Sequence, residues 1–243
     1  PEFAVTLIAA FDGHGDISVG NVVGSNIFNL GFILGGCALV GAIPTPPALL
    51  RRDGTVLVLA TVLLLGLVDW DLRLDRRDGV LLFVLLCVYL GYLYLRRGAR
   101  VDDGHEPDGP GMQRSASLSR SSALLVVGLI SIIGGAHFLV ESATVIARGF
   151  GVSEWIIGVT IVAAGTSAPE LTTSLAGVIK GRYALSAGNV IGSSIFNVLG
   201  VLGLAGMLRP VEIDVTARMS LAALCGLVLL VLFFMRTGWR VSR

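Results

Sequence analysis

One polar string is written twice in this chain, inside segments that are otherwise apolar. Gly20-Asn21-Val22-Val23-Gly24-Ser25-Asn26-Ile27-Phe28-Asn29 returns as Gly188-Asn189-Val190-Ile191-Gly192-Ser193-Ser194-Ile195-Phe196-Asn197. A Pro-Glu pair stands ahead of each copy, Pro1-Glu2 and Pro169-Glu170, and the offset is 168 residues throughout. Self-similarity at a fixed offset marks a structural unit built twice. Polar interruptions at matching places in two apolar halves point to a transporter's binding site.

The surroundings of the string are those of a membrane protein. The chain is 54% hydrophobic and 14% charged, with a mean hydropathy of +0.83; a soluble domain carries about 25% charged residues. Eight apolar segments are expected, at about 1–12 (a partial helix), 17–42, 55–69, 79–95, 122–147, 154–179, 185–208 and 215–235. A spanning helix needs about 20 mostly apolar residues, and the alternation of an outer-membrane strand is missing. The net charge of +1 gives no footprint for nucleic acid. Cys37, Cys87 and Cys225 lie in apolar runs without CxxC spacing and read as small hydrophobes. With no initiator Met and an opening at Pro1, the chain reads as a piece of a longer protein, cut inside a helix.

The stretch 96–121, rich in Asp, Gly, Pro, Ser and Arg, cannot bury a core and is expected to be a flexible linker. It divides the chain into halves at 1–95 and 122–243. Arg51, Arg52, the linker arginines, Lys180, Arg182 and the C-terminal arginines gather 12 of the 18 Lys and Arg on one side of the membrane. By the positive-inside rule that side is cytoplasmic. The loop Asp12–Asp16, with two acids and no Lys or Arg, then faces outside, while its counterpart Lys180-Gly181-Arg182 faces inside. The two copies thus enter the membrane from opposite sides, the pattern of an inverted-topology repeat.

Asn21, Ser25 and Asn29 recur every four residues, as do Asn189, Ser193 and Asn197, which gives each helix an oxygen-bearing face. Gly20 and Gly24, and Gly188 and Gly192, share that spacing and suit close helix approach in lipid. Three carboxylates lie within apolar segments: Glu2, Glu141 and Glu170. An ionisable group there costs at least about 2.5 kcal/mol and faces a cavity or a partner. Glu141 is two turns from Arg148 and is expected to pair with it. Glu2 and Glu170, each tied to a copy of the string, are the functional candidates. Thr166 shares a face with Glu170, and Pro169 frees a backbone carbonyl upstream. Two carboxylates among hydroxyls and amide oxygens form a site for a hard cation; Ca²⁺ takes about 6–8 oxygens. Asn21 and Asn189 serve equally well as ligands or as hydrogen-bonded ties between helices.

The doubled string, with Gly165-Thr166-Ser167-Ala168-Pro169-Glu170 ahead of its second copy, resembles the two alpha-repeats of the sodium/calcium exchanger family, and most of all its prokaryotic members. The resemblance implies an all-α polytopic fold of two inverted repeats, five helices each. Against that pattern this chain lacks the first helix, the front of the second and the tenth. It implies an ion site at Glu2, Ser25, Asn29, the Ala163 carbonyl, Thr166, Ser167, Glu170, Ser193 and Asn197. Where several family members carry Asp, this chain has Asn197, which removes one carboxylate. The helix 123–147 resembles the family's sliding gate helix.

The implied function is a secondary antiporter of a prokaryotic cytoplasmic membrane, exchanging Na⁺ for Ca²⁺ by alternating access. Both ions are transported substrates, and no cofactor is implied. H⁺ is the alternative counter-ion, with other divalent ions as alternative cargo. A passive cation channel is a reading from another class, against which the paired inverted motif argues. A membrane-embedded hydrolase has no HExxH or GxSxG motif to support it.

Overall fold

The computed structural model describes residues 1–97, 118–213, 215–238 and 240–241. The first half runs through α1 (Glu2–Asp12), α2 (Gly15–Ile27), a π turn at Phe28–Ile33, α3 (Leu34–Val40), α4 (Pro47–Leu49), a π turn at Leu50–Gly54, α5 (Thr55–Asp71) and α6 (Arg76–Arg97). The second holds α7 (Leu118–Gly149), α8 (Glu154–Ile157), a π turn at Gly158–Val162, α9 (Ala163–Thr166), α10 (Ala168–Ile179), α11 (Tyr183–Ile195), a π turn at Phe196–Leu202, α12 (Gly203–Leu208) and α13 (Thr216–Gly238).

The expected segments fall on these elements to within a few residues. Helix α7 begins at Leu118, inside the expected linker, and the rest of that linker, 98–117, lies outside the described residues. Among the described residues, four helical runs can cross a membrane by length and composition: Gly15–Val40, Arg76–Arg96, Tyr183–Leu208 and Ala217–Thr237. The expected segment 154–179 is instead a broken span, Trp155–Thr166 and Ala168–Ile179, bent by 46°. Ser167 sits at the break with φ −85° and ψ 7°, and a proline follows in the first turn of α10. Proline cannot donate to the carbonyl of the preceding turn, so the helix breaks there.

The two copies of the string fold alike. Each ends in a π turn that begins at its Phe and contains its last Asn. Such turns, rare elsewhere, gather at functional sites. Helices α1 and α10 end in the same left-handed glycine cap: Gly13 N–H bonds Ala10 O and His14 N–H bonds Ala9 O, while Gly181 N–H bonds Val178 O and Arg182 N–H bonds Gly177 O. Gly13 and Gly181 have φ of 86° and 71°, a conformation that costs glycine nothing. Two short antiparallel ladders join the halves: β1 (Ile43–Pro44) with β4 (Arg240–Val241), and β2 (Arg73–Leu74) with β3 (Val211–Glu212).

The expected close packing on paired glycines holds for one copy only. A Cβ on Gly24 would lie 2.2 Å from the Val159 carbonyl oxygen, so α2 and the Gly158–Val162 turn approach backbone to backbone. Around Gly188 and Gly192 nothing lies within 4 Å of such a Cβ among the described residues. The main core is built from α2, α5, α6 and α11–α13, with Val22, Leu30, Leu64, Leu82, Ile191 and Leu202 wholly or almost wholly buried. The outward faces of α6 and α13 expose Val84, Val88, Leu95, Leu229 and Phe233. An apolar exterior around a core that buries Glu2, Asn21, Asn26 and Asn29 fits lipid as the solvent.

Candidate cation site

The buried polar residues meet where α1, α2 and α11 approach the break between α9 and α10. Glu2, 4% exposed, opens α1. The Ser167 hydroxyl donates to Glu2 Oε1 at 3.0 Å. Ser167 is wholly buried, and only the break in the helix turns its hydroxyl across the chain toward α1. One turn earlier, Ser25 Oγ lies 3.4 Å from the Ala163 carbonyl and 3.3 Å from Thr166 Oγ1. Thr166 Oγ1 also lies within hydrogen-bond range of Ala163 O, at 3.2 Å, and of Asn21 Oδ1, at 3.1 Å. The Ala163 carbonyl is thus engaged by two hydroxyls and also accepts the Ser167 N–H at 3.1 Å, so it is not the carbonyl that Pro169 frees, which lies four residues before the proline at Gly165.

A second group forms across the two copies. Asn29 Nδ2 donates to Ser193 Oγ at 3.1 Å, and Ser193 in turn donates to Val190 O at 3.1 Å. Asn197 donates from Nδ2 to Asn26 Oδ1 at 3.4 Å. Of the nine expected site residues, the structure thus joins Glu2 to Ser167, Ser25 to Ala163 and Thr166, and Asn29 to Ser193. Asn197 bonds Asn26, whose own donor goes to the Ser194 carbonyl outside the nine, and no hydrogen bond joins the Glu170 carboxylate to another of the nine. Glu170 Oε2 and Asn29 Oδ1 are buried acceptors with no hydrogen-bond partner. A buried acceptor left without a donor is costly, and a cation satisfies it as a donor does. Among the described residues no three His, Cys, Asp or Glu gather into a metal-binding group. The polar atoms gathered here are carboxylate and neutral oxygens, the donor set that suits hard ions.

Asn21 and Asn189 both form ties between helices. Asn21 Nδ2 donates to Thr6 Oγ1 at 3.0 Å and to Glu2 O at 3.5 Å. Asn189 Nδ2 repeats this with Ser174 Oγ at 3.0 Å and Glu170 O at 3.4 Å. Each asparagine fastens a motif helix to the turn that carries its glutamate. Glu141 and Arg148 are exposed on α7. Asn26 is the residue that sequence reasoning missed, and a signal was present: it is the only polar position at which the two strings differ, its counterpart being Ser194.

The family model for the sodium/calcium exchanger protein matches residues 1–95 and 120–243. The chain is 38% identical to the inner membrane protein YrbG of Escherichia coli K12, over 88% of this chain and 67% of that protein. It is 37% identical to the putative antiporter CaxA of Alkalimonas amylolytica, over 98% and 76%. Among solved structures, the sodium-calcium exchanger NCX_Mj soaked with Na⁺ and Sr²⁺ superposes with a TM-score of 0.77 at 29% identity, covering all of this chain and 76% of that one.

Proposed function

We propose, from the premise that this chain belongs to the sodium/calcium exchanger family, that it works as a secondary antiporter exchanging Na⁺ for Ca²⁺ at a membrane midplane site. The observation that carries this reading is that Glu170 Oε2 and Asn29 Oδ1 are buried acceptors without partners, together with the burial of Glu2. Glu2 and Glu170 supply the charge that balances one Ca²⁺. Ser25, Asn29, Thr166, Ser167, Ser193, Asn197 and the Ala163 carbonyl complete the oxygen cage. Without a cation the two carboxylates repel, so Na⁺, Ca²⁺ and H⁺ compete for one pair of groups. That competition couples the entry of one ion to the exit of another.

The reading includes an inverted architecture, with a first repeat at 1–95, a cytoplasmic linker at 96–121 and a second repeat at 122–243, in a prokaryotic cytoplasmic membrane. The charge bias of the loops supports it, as do the mirrored glycine caps, π turns and asparagine ties. Alternating access is assigned to α7, which packs on α8–α10 beside the site. Proton-coupled Ca²⁺ exchange is the second reading, favoured by the neutral amide at Asn197.

The test is ⁴⁵Ca²⁺ uptake by the full chain in Na⁺-loaded proteoliposomes diluted into Na⁺-free buffer, with Glu170→Gln as control. Uptake that requires internal Na⁺ and disappears in the variant is the expected result. Uptake driven by a pH gradient without Na⁺ moves the protein to the proton-coupled reading. No uptake under either gradient removes Ca²⁺ as cargo.

A further inference from the structure

Asn26 lies wholly buried in α2, where the two motif helices meet. Its Nδ2 donates to the Ser194 carbonyl at 3.3 Å. A backbone carbonyl can only accept, so this contact fixes which end of the Asn26 amide faces α11. The other end is the carbonyl oxygen, and it accepts from Asn197 Nδ2 at 3.4 Å. With its amino group committed to Asn26, Asn197 has its own carbonyl oxygen left to offer.

We infer that Asn26 is a positioning residue that makes position 197 a seat for an amide and not for a carboxylate. The inference rests on the cation-site reading for its consequence, but its geometry stands without it. An Asp at 197 would set a carboxylate against Asn26 Oδ1, acceptor against acceptor, in a buried place. Turning the Asn26 amide over would relieve that clash only by aiming Oδ1 at the Ser194 carbonyl. Neither orientation of Asn26 satisfies both of its neighbours when residue 197 is charged. Asn26 therefore limits the site to the charge of Glu2 and Glu170.

The mirrored position shows why only one of the two asparagines is held this way. Ser194 stands where Asn26 would recur, and its buried Oγ has no hydrogen-bond partner. Asn29, the counterpart of Asn197, is held by Ser193 instead and keeps a partnerless oxygen. The two repeats thus present unlike amides to one site, and the difference traces to one residue.

The test uses the full chain in detergent, with Ca²⁺ alone as the probe and affinity read by equilibrium ⁴⁵Ca²⁺ binding. The variants are Asn26→Ser, which copies the mirrored residue, Asn197→Ala, Asn197→Asp and the two doubles. Asn26→Ser is expected to weaken binding roughly tenfold in the wild-type background and less than about twofold in Asn197→Ala, since the residue acts through Asn197. Asn197→Asp is expected to bind no tighter than wild type despite its extra carboxylate, and Asn26→Ser is expected to restore that gain roughly tenfold. Equal losses from Asn26→Ser in both backgrounds, or tighter binding by Asn197→Asp alone, would overturn the inference. Thermal unfolding of the same variants decides it independently of any ion. The destabilisation by Asn197→Asp should shrink by more than about half when residue 26 is Ser, and additive effects refute the coupling. Wild type that binds no Ca²⁺ while this coupling persists would overturn the cation reading and leave the positioning role standing.

Discussion

Ser167 combines two roles that a sequence cannot place in one residue. It occupies the non-helical position between α9 and α10, and its hydroxyl donates to Glu2, 165 positions away. Only the resemblance brought it into the expected site. A hydrogen bond to a charged group contributes about 1.5–3 kcal/mol. Ser167→Ala is therefore expected to weaken Ca²⁺ binding by roughly tenfold or more, and Ser167→Thr to retain most of it, both measured by ⁴⁵Ca²⁺ binding. The glutamates were legible because a carboxylate in an apolar segment needs a reason to be there, and two of the three repeat with the string. Asn26 was not singled out, since its one signal in the sequence is a mismatch between the two strings and its hydrogen-bond partners lie in the other half. Both Asn21 and Asn189 use their donors as ties, to Thr6 and Ser174, which leaves the role of their oxygens open.

Among the elements, the helices were legible from apolar length, and their irregularities were not. A π turn arises from how a helix accommodates neighbours, so the spacing of Asn21, Ser25 and Asn29 could not announce that Asn29 sits inside one. Packing likewise separates two glycines that the sequence presents as equivalent. Gly24→Ala must displace the Val159 backbone, and is expected to destabilise by about 1–3 kcal/mol or more. Gly192→Ala meets nothing among the described residues and should fall within about 0.5 kcal/mol of wild type. Thermal unfolding of both in detergent checks the contrast. Helix α7 joins α8 and the following π turn through a small apolar cluster of Ala147, Ile157 and Val162, separate from the main core. Its amides are expected to exchange hydrogen faster than those of α11 and α12, which hydrogen-exchange mass spectrometry reads directly.

For the molecule as a whole, the decisive expectation is that the halves run in opposite senses through the bilayer. In a Cys87→Ser background, a cysteine at His14 should react with an impermeant maleimide added to intact cells, and one at Lys180 only after permeabilisation. Labelling of both from one side would refute the inversion. The two ladders carry a mechanical consequence. The first pairs 43–44 of one half with 240–241 of the other, and the second pairs 73–74 with 211–212. Arg209 of the second half adds a bond to the Phe11 carbonyl of the first. Halves cross-braced in this way behave as a stator: they cannot swing apart like the jaws of a clamp without breaking the braces. On the antiporter proposal, a stroke is therefore expected in a part left outside the bracing, as a slide moves along a fixed bed.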